Sequence, residues 1–148
     1  MSRGALHVIS PREASMFACL VDAVVAPGDR LPAVRDTDAC VAFDANLAAA
    51  PRLNQLGLRA MLLALELAPL VLARPPRRTR LRRLAPAERA AVVLELDRHP
   101  VLGPVVKALR GIAHLTYYGD AAVMARLGFD APAILERAEC LRAEEGRW

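Results

Sequence analysis

One helical stripe constrains the fold of this chain more than any other feature of its sequence. Between residues 102 and 116, mostly apolar side chains recur at intervals of three and four residues, which places them on one face of an α-helix. This stripe consists of Leu102, Val105, Val106, Leu109, Ile112, Ala113 and Thr116. No segment of the sequence shows the polar–apolar alternation of a half-buried strand. The sequence therefore predicts an all-α protein.

Capping residues predict where several other helices begin. Ser10, Pro11 and Glu13 form a capping-box start, with proline in the first turn and glutamate three residues after the cap. Asp36 or Thr37 is expected to cap a helix that ends near residue 50, and long helices are expected over 86–98 and 132–145. At 148 residues, the chain is long enough for one core. We expect a single domain, 1–148, of five to six helices.

The segment 53–67 is apolar nearly all round and is expected to be the central helix of the domain. Arg59 and Glu66 interrupt it and Pro69 follows, so no charge-free run approaches the roughly 18–20 residues that cross a bilayer. A buried helix is therefore favoured over a membrane span.

An arginine- and proline-rich segment, 74–83, separates two helical halves and is predicted to be a linker within one domain. Its guanidinium groups suit phosphate contacts, which makes a nucleic-acid-binding helical regulator the alternative function. The segment has no interleaved aromatic residues, and no polar recognition helix follows it. A solvated linker or a clamp on an acidic protein surface is favoured, and Arg77, Arg78 and Arg80 are the predicted electrostatic contacts.

The sequence shows no recognisable catalytic or metal-binding motif. It lacks a nucleophile elbow, a phosphate-binding glycine loop and a paired-histidine zinc motif. Cys19 is expected to be a core thiol, and His114 a hydrogen-bonded packing histidine. Three acidic residues within nine positions are explained by helix capping and a solvated face rather than by acid–base chemistry, namely Asp36, Asp38 and Asp44. We therefore expect no catalytic residue, metal or cofactor on this chain.

Composition favours a permanent partner and a reducing compartment. Apolar residues make up 55% of the chain, more than the roughly 45–50% typical of soluble domains. The three cysteines are scattered, as expected for free thiols rather than a disulfide framework. The N-terminal sequence lacks the apolar core of an export signal. A cytoplasmic location is expected.

Aromatic residues concentrate in the segment 111–132, although they form only 4% of the chain. This segment holds Tyr117, Tyr118 and Phe129, together with Asp120 as the expected cap of a short helix. Tyrosine combines a large contact area with few rotatable bonds and a polar tip, which suits protein interfaces. We predict that these four residues face a partner protein.

Three short motifs resemble the small-subunit family of gluconate 2-dehydrogenase (subunit 3). They are Leu-Ala-Pro-Ala-Glu-Arg-Ala-Ala at 84–91, Tyr-Tyr-Gly-Asp at 117–120 and Leu-Gly-Phe-Asp-Ala-Pro at 127–132. The likeness extends to Ser-Pro-Arg-Glu at 10–13 and the following Val-Ala-Pro at 25–27. Two positions depart from the family pattern. The twin-arginine export signal found in many members is missing, and Ala85 stands where a capping serine or threonine is common.

The resemblance implies a non-catalytic accessory subunit that binds and stabilises or matures a large FAD-dependent sugar or alcohol oxidoreductase of the glucose-methanol-choline type. FAD is then expected on the partner, and a cytochrome subunit is a further member of such complexes. The resemblance transfers no catalytic residue to this chain. A periplasmic location requires co-export with a partner that carries the signal.

Overall fold

The first helix begins at the predicted reciprocal cap. Ser10 Oγ accepts a hydrogen bond from the Glu13 backbone N–H, and Glu13 Oε2 accepts one from the Ser10 N–H at 2.8 Å. These two bonds satisfy amide groups that the first turn of a helix otherwise leaves without partners. The computed structural model of the chain describes residues 5–28, 30–72, 78–144 and 146.

The described residues form helices and turns without a strand, which confirms the all-α fold. They contain seven α-helices rather than the expected five or six. The helices are α1 Pro11–Val25, α2 Ala39–Ala49, α3 Arg52–Leu72, α4 Pro86–Asp97, α5 Gly103–Tyr118, α6 Ala121–Arg126 and α7 Ala131–Glu144. Short 3₁₀ turns, Val34–Asp36 and Leu81–Arg83, precede α2 and α4.

The centre of the domain is formed by α1 and α5. These helices pack against each other, α1 also packs against α2, α3 and α4, and α5 packs against α2, α3 and α4. The Phe17 ring of α1 stacks on the Phe43 ring of α2, with 4.0 Å between ring centroids. Because both rings are buried, this contact closes the core between the first two helices.

The helix α3 covers the core with one side only. Leu62, Leu65 and Glu66 are buried, whereas Leu53 and Leu56 are 79% and 62% exposed. The helix also continues through Pro69, which sequence analysis placed after its end. The segment expected to be the central helix packs against α1, α2 and α5 with one side, and its other side is exposed.

The described part of the arginine-rich segment is a strap across α3 rather than a solvated linker. Leu81 is buried, and Arg82 Nε lies 3.0 Å from Glu66 Oε1. The Arg82 backbone N–H also donates to Glu66 Oε2 at 3.2 Å. A buried carboxylate is destabilising unless its oxygens are paired or hydrogen-bonded, and this segment supplies both kinds of partner to Glu66. Residues 74–77 lie outside the described residues.

Candidate partner-binding surface

The aromatic segment turns the chain from α5 into α6 through a tight junction. A Cβ atom on Gly119 would lie 2.7 Å from the Leu115 carbonyl oxygen, so a larger residue does not fit without a shift of the backbone. Asp120 Oδ1 accepts hydrogen bonds from the Ala122 and Val123 N–H groups, which confirms its predicted capping role. Its second oxygen, Oδ2, accepts the Asp38 N–H at 2.8 Å. Asp120 therefore joins the start of α6 to the start of α2.

Tyr117 is a core residue, which contradicts its predicted place on a partner surface. Its side chain is fully buried, and its hydroxyl donates to the Pro32 carbonyl oxygen at 2.6 Å. Burial, with smaller contributions from the neighbouring Tyr118 and Asp120, raises the pKa of the Tyr117 phenol above its ordinary value. Tyr117 thus fixes the loop before α2 to α5 and supports the surface from below.

Tyr118 lies at the surface beside its buried neighbour. It is 41% exposed, and its ring meets the Tyr117 ring edge-on with 5.3 Å between centroids. The His114 ring lies 5.9 Å from the Tyr118 ring and is exposed, rather than being the packing histidine expected from its apolar neighbours. Together Tyr118 and His114 present a small aromatic patch on α5.

A Schellman motif ends α6 and holds Phe129 outward. The Phe129 N–H donates to the Met124 carbonyl at 3.0 Å, and the Gly128 N–H donates to the Ala125 carbonyl at 3.2 Å. Gly128 adopts a φ of +70°, a left-handed conformation that favours glycine. Phe129 is 50% exposed and lines a shallow groove of about 430 Å³. The groove is formed by Ala121, Met124, Ala125, Gly128, Phe129, Asp130 and Pro132.

The last helix, α7, extends away from the core. From Pro132 to Glu144 every side chain is exposed except that of Ala138, which is half-buried. Asp130 Oδ1 accepts the Ala133 N–H at 3.2 Å and so caps the first turn. Three of its large apolar side chains are exposed, namely Ile134, Leu135 and Leu141. We define Tyr118, Phe129, Ile134, Leu135 and Leu141 as the C-terminal apolar surface.

The structure describes two of the three predicted arginine contacts, and these two differ in exposure. Arg78 is exposed and Arg80 is half-buried, while Arg77 lies outside the described residues. The exposed Arg83 follows Arg82, whose guanidinium is engaged by Glu66. The described part of this segment therefore combines one structural arginine with positive charge at the surface.

One shallow pocket among the described residues contains side chains that could be reactive. A shallow pocket of about 440 Å³ contains Cys19, Asp22 and Arg89, but Arg89 Nη1 is already paired with Asp22 Oδ2 at 3.2 Å. Burial raises the pKa of the Cys19 thiol, which opposes formation of a nucleophilic thiolate. Cys19 is half-buried and Cys140 is exposed, so the cysteines are free but not all buried. Among the described residues, no three histidine, cysteine or acidic side chains are grouped to hold a metal.

Sequence analysis did not predict that two carboxylates, Asp44 and Glu66, are buried inside the domain. The Asp44 carboxylate accepts the backbone N–H groups of His7, Val8 and Ile9 at 2.6, 2.9 and 2.8 Å, instead of lying on a solvated face. Glu66 is buried among the leucines of α3. A single charge within an apolar stripe is the sequence signal for such a buried anchor, whereas its partner belongs to another segment and is not visible from spacing.

Comparison with known proteins adds no assignment to this geometry. No protein-family model matches the chain, and neither a curated protein nor a solved structure matches it.

Proposed function

We propose that this chain is a non-catalytic accessory subunit that binds and stabilises a large FAD-dependent sugar or alcohol oxidoreductase. The observation that carries the proposal is the C-terminal apolar surface. It combines three exposed aliphatic side chains of α7 with Phe129, which lies just before α7, and with Tyr118 at the end of α5.

The exposure of α7 supports binding rather than internal packing. An isolated helix of 14 residues is marginal in water, and most helical stability in proteins comes from burial of an apolar face. No other described helix packs extensively against α7. A partner that covers Ile134, Leu135 and Leu141 would gain roughly 25 cal/mol for each Å² of apolar surface removed from water.

Within the aromatic segment, the residues that hold the surface in shape differ from those that contact the partner in this proposal. Tyr117 and Asp120 form internal hydrogen bonds, so their substitution acts on the shape of the surface. Tyr118 and Phe129 present exposed rings and are the direct contacts of the proposal. Aromatic side chains of this kind dominate binding energy when a partner buries them.

The class of partner rests on the motif resemblance to the gluconate 2-dehydrogenase small subunit. In this proposal the partner carries FAD and the substrate site, and this chain contributes no catalytic group. Arg78 and Arg80 provide a second contact with an acidic surface of the partner. A cytochrome subunit is a further proposed member of the complex.

Copurification tests this function. The tagged chain is co-expressed with a glucose-methanol-choline-type oxidoreductase from its own source, and the eluate is tested for flavin absorbance. Wild-type chain is expected to retain the flavoprotein through gel filtration, while Phe129→Asp combined with Leu135→Asp loses it. Leu94→Asp, a change at an exposed leucine of α4, is the matched control and is expected to retain it. A wild-type chain that elutes alone contradicts the proposal.

The nucleic-acid alternative makes a different prediction. Binding through the arginine-rich segment requires affinity that falls steeply with salt, because counterions are released from phosphates. The pairing of Arg82 with Glu66 removes one guanidinium from such a surface. Salt-sensitive binding to duplex DNA or RNA, lost in Arg78→Ala with Arg83→Ala, would favour this alternative over the accessory-subunit function.

A further inference from the structure

We propose that the outer side of α3 lies in the surface of an anionic membrane, with the helix parallel to the bilayer. This inference is independent of the flavoprotein partner. It concerns a face that we call the α3 outer face, formed by Leu53, Leu56, Gly57, Ala60, Leu63, Ala64, Leu67, Leu70 and Val71.

The α3 outer face is long, wide and apolar, with Arg52 at the edge of the same arc in the first turn. Its residues lie within an arc of about 140° when each residue turns the helix by about 100°. The helix has 21 residues and is therefore about 31 Å long. Seven of the nine positions are exposed, and Gly57 and Leu67 are half-buried. This helix is apolar and long enough to cross a bilayer, yet only 28% of its most apolar 18-residue stretch is buried within the protein.

The two charges in the interior of α3, Arg59 and Glu66, are held at the border of this face by other elements. Arg59 Nε lies 2.6 Å from Glu13 Oε1 at the start of α1. Glu66 is buried and pairs with Arg82 of the strap. A spanning orientation would separate these ion pairs and expose buried charge to lipid, which is strongly unfavourable. An orientation parallel to the surface leaves both pairs in place.

Positive charge beside α3 favours anionic lipid. Arg52 is exposed at the first residue of the helix, and Arg83 is exposed next to Arg82, whose guanidinium contacts Glu66 of α3. Guanidinium groups near a membrane are attracted to anionic headgroups. Basic residues beside an apolar helical face are the pattern of helices that insert about 5–10 Å into the interface.

The same charges disfavour a second copy of this chain as the occupant. Parallel pairing of two α3 helices would bring their two exposed Arg52 guanidinium groups together. A two-stranded coiled coil also uses a narrow seam, whereas the α3 outer face spans about 140°. The face carries no hydrogen-bonding side chain among its nine residues, as suits acyl chains better than the polar rim of a protein interface.

Vesicle cosedimentation tests this inference with the full chain. Phosphatidylcholine vesicles are compared with vesicles that also contain phosphatidylserine. Wild-type chain is expected to bind the anionic vesicles, and Leu56→Glu combined with Leu63→Glu is expected to weaken binding about tenfold or more. Leu94→Glu with Leu115→Glu is the matched control, because these two exposed leucines lie on α4 and α5. Circular dichroism verifies that each variant remains helical.

Each other outcome would overturn the inference. Wild-type chain that stays in the supernatant with anionic vesicles contradicts it, as does equal loss of binding in the control variant. A dimer detected by light scattering and abolished by Leu56→Glu with Leu63→Glu, without vesicle binding, would assign the face to a second copy. Loss of the flavoprotein complex in that variant, without vesicle binding, would assign it to the protein partner.

Discussion

The N-terminal segment of this chain provides hydrogen bonds to a buried carboxylate, whereas the C-terminal helix leaves its large apolar side chains exposed. At the N-terminal end, a buried carboxylate on α2, Asp44, receives three backbone N–H groups from residues 7–9. At the C-terminal end, Ile134, Leu135 and Leu141 remain exposed on α7. The difference separates the part of the chain that stabilises the domain from the part that we assign to a partner.

The largest expected effect is at the N-terminal anchor. Asp44→Asn replaces one acceptor oxygen by an NH₂ group that faces backbone donors, so the free energy of unfolding should fall by about 2–4 kcal/mol. Chemical denaturation measures this change. Asp36→Asn, at a carboxylate that is 64% exposed, is the control and should leave stability nearly unchanged. Equal effects of the two substitutions would remove Asp44 from the role of anchor.

A smaller effect is expected at Glu13, and it depends on pH. Burial raises the pKa of the Glu13 carboxyl, but hydrogen bonds from Arg59 and Ser10 lower it from 4.5 to about 2. Because the pKa is lower in the folded state, the stabilisation is complete above pH 4.5 and is lost as the pH falls toward 2. Glu13→Gln should cost about 1–2 kcal/mol at neutral pH, after allowance for solvent screening.

The test for Glu13 is a series of unfolding curves between neutral pH and pH 2. The difference between wild type and Glu13→Gln is expected to shrink across the interval from 4.5 to about 2. A difference that stays constant across that interval would show that the ion pair with Arg59 does not contribute.

Loss of the Tyr117 hydroxyl is expected to lower the free energy of unfolding by about 1 kcal/mol. Tyr117→Phe removes the hydroxyl that donates to Pro32 and leaves its carbonyl without this partner, so stability should fall by about 0.5–1.5 kcal/mol. Thermal unfolding monitors the change. Tyr118→Phe is the matched control at the neighbouring exposed ring and should have no measurable effect. Greater loss at Tyr118 than at Tyr117 would reverse the assignment of the two residues.

The smallest effect on stability is expected on α7. Leu135 is 64% exposed, so Leu135→Ser should change the free energy of unfolding by less than about 0.5 kcal/mol. Denaturant unfolding of the isolated chain measures this. A loss of 2 kcal/mol or more, as for a core leucine, would show that α7 packs within the domain and would contradict its exposure.

The sequence was sufficient for the helical elements and for the caps of α1 and α6, whereas α2 begins after Asp38 and not after the expected cap at Asp36 or Thr37. The Ser10–Glu13 box and the Asp120 cap are local, and each is formed by residues within three positions of the other. The exposed side of α3 was not predictable, because periodicity cannot say whether an element covers an all-apolar helix on both sides. The strap at Arg82 was missed because it depends on Glu66, which lies 16 residues earlier.

The candidate surface was predicted in part. Tyr118 and Phe129 are exposed as expected, whereas adjacent residues on a helix point in different directions, so Tyr117 is directed into the core. The exposure of α7 was not recognised from its sequence. A short amphipathic helix has the same apolar spacing whether its own domain or another protein covers it.

Hydrogen exchange of α7 tests whether a partner protein covers this helix. Amide exchange is measured on the chain alone and after mixing with the purified FAD-dependent oxidoreductase. We predict rapid exchange across Ala131–Glu144 in the isolated chain, because the helix is exposed and marginal by itself, and strong protection in the complex. Exchange in α7 that is already slow in the isolated chain, or that does not change when the flavoprotein is added, would contradict it.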